Sequence, residues 1–228
     1  MPARLQNLPL FPLHVVLYPG GTLPLRIFES RYRQMLADCL GGDRIFGVCL
    51  IRRGEEVGES AEPCKIGTTA EILQVQPLGE HRFYLLAIGQ ERFRIRGITR
   101  QQPYMVGEVE LLPEPAASAS ALERIPEFRQ QLERYIRLLA ELLDQEAGEL
   151  SLPEDPVRVV YLAASLLQVS LAEKQALLEL LSTDERLERA ERHLHRLIEK
   201  AIALCERRRQ GVATPFDAHK ALRRYSPN

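Results

Sequence analysis

The spacing of apolar residues changes character near residue 113. Before it, short apolar runs alternate with turn-forming residues, which reads as strands. The runs are Val15–Leu17, Leu23–Ile27, Ile45–Ile51, Ile66–Val75, Phe83–Ile88, Phe93–Ile98 and Met105–Leu112. Pro19-Gly20-Gly21 separates the first two, and the later connections are short and rich in Gly or Pro, as in antiparallel hairpins. Phe83–Ile88 is apolar on both faces, so it is expected to be a central strand. One helix interrupts this half. Phe28, Tyr32, Met35 and Leu36 share a helical face, and Gly41-Gly42-Asp43 stops it at Leu40.

After Pro113-Glu114-Pro115 and an Ala/Ser run to Ala121, the period becomes helical. Phe128, Leu132, Tyr135, Ile136, Leu139 and Leu143 form one stripe, with Gly148 as the stop. Asp155-Pro156 offers an N-cap and a first helical position, and Val157 to Leu167 is apolar nearly all round, so that helix is expected at the centre of a bundle. Ser170-Leu-Ala-Glu173 and Ser182-Thr-Asp-Glu185 both fit capping boxes and start two further helices, the last running from about Thr183 to Arg208. The organisation predicted is α+β: a β-domain with one helix over 1–113, a linker over 114–121, a helical bundle over 122–208 and a basic tail over 209–228.

Composition excludes several classes. The 228 residues hold 30 basic and 31 acidic side chains, a net charge of −1, where a general nucleic-acid binder is strongly basic. No stretch approaches the roughly 18 apolar residues of a membrane span, so no membrane partner is expected. Cys39, Cys49, Cys64 and Cys205 form no C-x-x-C pair, a pattern of buried thiols in a reducing cytoplasm rather than of a zinc site or a disulfide framework. Pro9, Pro12 and His14 break the apolar run near the N-terminus, which is read as mature protein rather than a signal peptide.

One ordered set of short motifs carries a resemblance. Leu8-Pro-Leu-Phe-Pro-Leu13, Leu23-Pro-Leu-Arg-Ile-Phe-Glu29 and Arg31-Tyr32-Arg33 resemble the opening of the Lon protease N-terminal domain. Phe46-Gly47-Val48, Ile66-Gly67-Thr68-Thr69-Ala70, Gly89 with Arg92-Phe93-Arg94-Ile95, Pro103-Tyr104, Lys174 to Glu179 and Arg186-Leu187 follow in that family's order. The resemblance covers about Leu8 to Cys205. It implies a PUA-like antiparallel or mixed β pseudo-barrel followed by a helical bundle, and a role in recognising protein substrates or partners. Full-length Lon adds an ATPase and a Ser-Lys peptidase. No G-x-x-x-x-G-K-[ST] occurs here, so no ATPase or peptidase activity and no cofactor is expected.

The remaining chemistry is sparse. His193 and His195 are two apart on a predicted helix and point to different sides, which argues against a metal site; His14 and His81 have no partner motif. No activated nucleophile is visible, so no catalytic residue is assigned. Arg92, Arg94 and Arg96 share one strand face; they either make an anion-binding stripe or pair with Glu108 and Glu110 on the next strand, and the matching period favours pairing. Leu187, Ala190, Leu194, Leu197, Ala201 and Leu204 step by three and four. That seam serves self-association, or packs within the chain's own bundle, the reading Ile198 favours by widening the stripe. From Glu206 onward, Arg207, Arg208, Arg209, Lys220, Arg223 and Arg224 face only Glu206 and Asp217, a local charge of +4 that suits an acidic partner or nucleic acid, or a solvated terminus. Tyr18 and Tyr104, beside turn-forming residues, are the candidate exposed anchors for a partner. The expected function is non-catalytic binding of unfolded polypeptide or a protein partner in the cytoplasm, with RNA binding as the alternative.

Overall fold

The computed structural model describes residues 4–55 and 61–210. The chain divides into two compact units, Met1–Pro113 and Glu114–Asn228.

The first unit contains β1 (Arg4–Leu13), β2 (Thr22–Ile27), α1 (Ser30–Leu40), β3 (Ile45–Arg53), β4 (Glu62–Pro63), β5 (Ile66–Pro77), β6 (Phe83–Arg100) and β7 (Met105–Leu111). The sheet runs β1-β7-β6-β5-β3-β4, and a parallel pairing of β1 with β3 over Leu10–Leu13 closes five of these strands into a ring. Every other pairing is antiparallel. Successive side chains on a strand point to opposite faces, so the ring builds two cores. Leu8, Leu10, Cys49, Phe93, Met105 and Val109 make one. The other joins Phe11 and Leu13 of β1 to Phe46, Val48, Leu85 and Ala87, and α1 buries Tyr32, Met35, Leu36 and Cys39 against it. Gly47 and Gly67 make the first core possible: a Cβ on either would meet the Phe93 ring at 2.7–2.8 Å.

Three expectations in this unit need correction. Val15–Leu17 is not a strand; the first strand lies upstream, at Arg4–Leu13. Phe28 precedes α1 and is 55% exposed, because Glu29 is the N-cap. Phe83–Ile88 and Phe93–Ile98 are one strand of 18 residues. Gly89, read as a turn signal, is a point of close approach: its N–H donates to Gly21 O and its carbonyl accepts from Gly20 N–H, both at 2.8 Å.

The second unit holds α2 (Ala119–Leu142), α3 (Pro156–Leu166), α4 (Leu171–Glu179) and α5 (Thr183–Arg209). Local chemistry starts each helix. Ser118 accepts from Ala121 N–H, and Asp155 Oδ1 from Val157 N–H at 2.8 Å with Pro156 in the first turn. Ser170 and Glu173 complete a reciprocal capping box. Ser182 accepts from Glu185 N–H, so only half of the second expected box is made. α2 begins inside the stretch expected to be linker and ends before Gly148, at Leu142. Its last carbonyls are taken up by α5: Arg208 donates to Glu141 O at 2.8 Å and to Leu142 O at 3.2 Å. α3 buries Val159, Val160, Tyr161, Ala163 and Ala164.

The seam on α5 packs within this unit. Its fully buried line is Leu187, Ala190, Leu194, Ile198, Ala201 and Cys205, while Leu197 and Leu204 are half-buried beside it. Leu204 lies against the cluster of Leu142, Ala201 and Cys205.

Candidate functional site

The two tyrosines expected as exposed anchors are buried. Tyr18 is 1% exposed, and its carbonyl accepts from Gly21 N–H at 3.0 Å. Tyr104 is 4% exposed, its hydroxyl donates to Asp38 Oδ2 at 2.5 Å, and Arg100 lies over its ring at 4.7 Å. Burial, together with the hydrogen bond to Asp38, raises the Tyr104 pKa above that of a free phenol. Both residues hold the fold.

Two arginines of the stripe, Arg92 and Arg96, are engaged within the β-unit. Arg92 is 1% exposed and donates to Pro113 O at 3.4 Å. Arg94 faces Glu110 in register, and Arg96, displaced by a bulge between Ile95 and Gly97, makes the ion pair with Glu110. On α5, Arg208 pairs with Asp144, and Arg209 pairs with Glu141 at 2.8 Å. Lys220, Arg223 and Arg224 of the expected basic tail lie outside the described residues.

The histidines do not converge. His193 is buried with Nδ1 3.1 Å from an Arg196 nitrogen, whereas His195 is exposed and 3.4 Å from Glu199. His14 lies 3.9 Å from Glu55, and His81 sits in an exposed turn. Among the described residues no group of three or more His, Cys, Asp or Glu side chains is placed to hold a metal ion. The four cysteines are free thiols, and burial, with the charge of Asp38, pushes Cys39 up to about 11.

A surface that the sequence analysis did not single out lies on β6 and its two neighbours. Antiparallel register places Tyr84 between Arg26 and Gln76, Leu86 between Pro24 and Gln74, and Ile88 between Thr22 and Glu71. Leu85 and Ala87 alternate with these residues and are buried in the core with Ile72, Leu23 and Ile27. Tyr84, Leu86 and Ile88 therefore form an apolar row on the opposite face, and each is half-buried. Their six flanking residues on β2 and β5 are all exposed. Leu73, the extra residue where β5 bulges between Ile72 and Gln74, is 49% exposed.

β2 bounds this face. Among the described residues it pairs only with β6, so its other edge carries unpaired backbone groups, less the donor that Pro24 lacks. At its end, Phe28 stands beside a notch of about 200 Å³ lined by Phe11, Leu13, Leu25 and Tyr32. An apolar row, a free strand edge and a notch whose lining also includes Arg26 and Glu29 thus lie along β2 and β6. The expectation of a central strand in Phe83–Ile88 was correct in topology; its second apolar face signalled a surface.

Residues 7–196 match the family model described as the ATP-dependent protease La (LON) substrate-binding domain. The chain belongs to that family. Among curated relatives, it is 28% identical over 220 residues to Lon protease 2 of Syntrophobacter fumaroxidans, covering 95% of this chain and 27% of that protein. It is 29% identical over 188 residues to Lon protease 2 of Myxococcus xanthus, covering 80% of this chain and 22% of that one. The chain thus spans about a quarter of the length of these curated relatives. Among solved structures, the Lon N-terminal domain protein from Xanthomonas campestris superposes with a TM-score of 0.59 at 31% identity, over 81% of this chain and 96% of that one. The N-terminal domain of Mycobacterium avium complex Lon protease gives 0.62 at 19% identity, over 83% and 98%, and shares the fold. Among the described residues no helix is long and apolar enough to cross a membrane.

Proposed function

We propose that this protein binds unfolded polypeptide without catalysis, docking an extended apolar segment on the face and free edge formed by β2 and β6. One observation carries the reading: the row Tyr84, Leu86 and Ile88 is apolar on a face that its own unit leaves half open, one strand away from the unpaired edge of β2. An extended chain laid across this face buries apolar side chains against the row, and where it runs along the β2 edge it gains backbone hydrogen bonds and reaches the Phe28 notch. Membership of a substrate-binding family supports the same reading. An RNA mode would need free cations, and on β6 Arg96 is engaged with Glu110 and Arg92 with Pro113.

The test is fluorescence anisotropy with a labelled, permanently unfolded polypeptide and a labelled single-stranded RNA, on the intact chain and on Leu86→Asp. A charge placed in the row should weaken polypeptide binding by roughly tenfold. Leu122→Asp, at an exposed position on α2, should leave it unchanged. Equal affinity of Leu86→Asp and the parent, or tight RNA binding at physiological salt with no polypeptide binding, would overturn the proposal.

A further inference from the structure

The apolar row on the outer face of β6 has defined ends and defined sides. Tyr84, Leu86 and Ile88 make up the row. Before it stands Arg82, paired with Glu80 at 3.1 Å. Beyond it Gln90 Nε2 donates to Glu71 Oε2 at 2.7 Å. The residues opposite the row are Thr22, Pro24 and Arg26 on β2, and Glu71, Gln74 and Gln76 on β5. Side chains on one face of a strand recur roughly every 6.8 Å, and neighbouring strands stand about 4.8 Å apart. The apolar strip is therefore one side chain wide and about 14 Å long from Tyr84 to Ile88.

Size and shape decide what fits this strip. A stable pair of protein chains buries about 800 Å² on each partner. A strip about 14 Å long and about 10 Å across offers only roughly 140 Å², too little to hold a second copy of this chain. An α-helix rises about 5.4 Å per turn, out of step with side chains about 6.8 Å apart. The apolar stripe of a helix is also broader than one side chain, so it would overlap the polar flanks. An extended chain repeats on one side at the same interval as the row itself. Its side chains at i, i+2 and i+4 meet Tyr84, Leu86 and Ile88 in step, as side chains do between packed sheets, while those at i+1 and i+3 stay in water.

We infer that the docking face selects extended segments whose apolar residues alternate with polar ones, at i, i+2 and i+4, over segments of the same composition whose apolar residues are contiguous. A contiguous run turns every second apolar side chain away from the sheet, so a run of three brings two to the row at best. The inference rests on the polypeptide-binding reading, which the substrate-binding family supports, and adds to it the sequence pattern that is bound.

The test uses the intact, isotopically labelled chain and two blocked peptides of one composition. Acetyl-Lys-Leu-Thr-Val-Thr-Leu-Lys-amide alternates; acetyl-Lys-Thr-Leu-Val-Leu-Thr-Lys-amide does not. Both should shift the amides of Tyr84–Ile88. The alternating peptide should bind about fivefold more tightly, the effect of one more apolar side chain partly buried. Ile88→Thr keeps a strand-forming residue and shortens the row to two adjacent side chains, which both peptides fill alike, so the affinities should come within about twofold. Tyr84→Thr, at the other end, should do the same. Leu86→Thr leaves two apolar side chains about 14 Å apart, which only the alternating pattern spans, so binding should weaken while the preference stays. Equal affinities on the parent chain, or a preference that survives both end substitutions, would overturn this inference and leave the docking face standing. No shifts at Tyr84–Ile88 with either peptide would overturn the docking reading with it.

Discussion

Arg186 donates to a carboxylate oxygen of Glu114 at 2.9 Å, across 72 positions of sequence. The arginine is fully buried. It also donates to Leu177 O at 3.3 Å and Leu180 O at 2.5 Å, and it lies 4.4 Å from the Tyr161 ring centroid. The second oxygen of Glu114 accepts from the Tyr161 hydroxyl. Thr183 donates to Pro115 O at 2.8 Å, and Ser118 N–H to Asp184 Oδ1 at 3.0 Å. Residues 114–118, expected as part of a linker, are held on α3 and the start of α5.

Removing the cation should therefore be costly. Arg186→Leu leaves two buried carbonyls without their donor and Glu114 without its charge partner. Breaking a buried pair from one side costs about 3 kcal/mol or more. Glu114→Gln keeps one oxygen as an acceptor for Arg186 and puts an amide donor where Tyr161 now donates, so the hydroxyl must turn to accept; with Arg186 still holding its two carbonyls, the change should cost less, about 2 kcal/mol. Urea unfolding of the two variants measures the difference; equal losses would show that the charge is immaterial and only the packing counts.

The second prediction concerns acid. Burial lowers the pKa of His193 below its free value of 6.5, and the charge of Glu173 opposes this only in part, with Arg196, Arg189 and Arg192 lowering it further. The folded protein thus prefers the neutral ring, whose Nδ1 can accept from Arg196. Below pH 6.5 the unfolded chain takes up a proton that the folded chain resists. The stability contributed by His193 is present above pH 6.5 and is lost as pH falls through its folded pKa. Glu173 acts in the same direction at lower pH. Its burial favours protonation, but hydrogen bonds from Ser170 and the charges of His193 and Arg196 outweigh it and leave the carboxyl below its usual 4.5. Melting temperature should fall between pH 7 and pH 5, and His193→Gln should flatten that slope. An unchanged slope in the variant would assign the acid sensitivity to other groups.

What could be read from sequence was the chemistry that acts over a few residues. Asp155-Pro156 and Ser170 with Glu173 are helix starts because their donors and acceptors lie within three positions. What could not be read depends on chain that comes from far away. Tyr104 resembles an exposed turn residue until Asp38, 66 positions earlier, meets its hydroxyl. Gly89 resembles a hairpin turn until Tyr18 is seen against it. The row at Leu86 was visible as an apolar second face, but a sequence does not show whether such a face is covered, and α1 covers the other one.

The two serine boxes should differ in worth. At Ser170 the box is complete: Glu173 N–H donates to Oγ at 3.2 Å, and Ser170 N–H donates back to the Glu173 carboxylate at 3.2 Å. At Ser182 only the bond from Glu185 N–H is present, at 3.4 Å. Ser170→Ala should cost about 1 kcal/mol, as for a good N-cap, and Ser182→Ala about 0.5 kcal/mol. Thermal unfolding of both variants decides the order; a reversed order would show that the reciprocal glutamate bond adds nothing.

A pair of substitutions in one strand isolates the close approach at Gly89. A Cβ there would lie 2.3 Å from Tyr18 O and 3.2 Å from Leu17 Cγ. The first contact is backbone, and Gly20 and Gly21 hold that segment against Gly89 with two hydrogen bonds, so it cannot swing away cheaply. Forcing a methyl into such a space costs about 2 kcal/mol. Gly97 also lies in β6, and its Cβ would meet nothing within 4 Å. There an added methyl mainly removes freedom from the unfolded chain, a gain of about 0.5 kcal/mol. Gly89→Ala should therefore lower the denaturation midpoint while Gly97→Ala holds or raises it. Because Gly89 ends the segment that carries Tyr84, Leu86 and Ile88, Gly89→Ala should also weaken polypeptide binding at a temperature where the protein remains folded. Loss of stability with binding unchanged would show that the approach of Tyr18 supports the fold without setting the docking face.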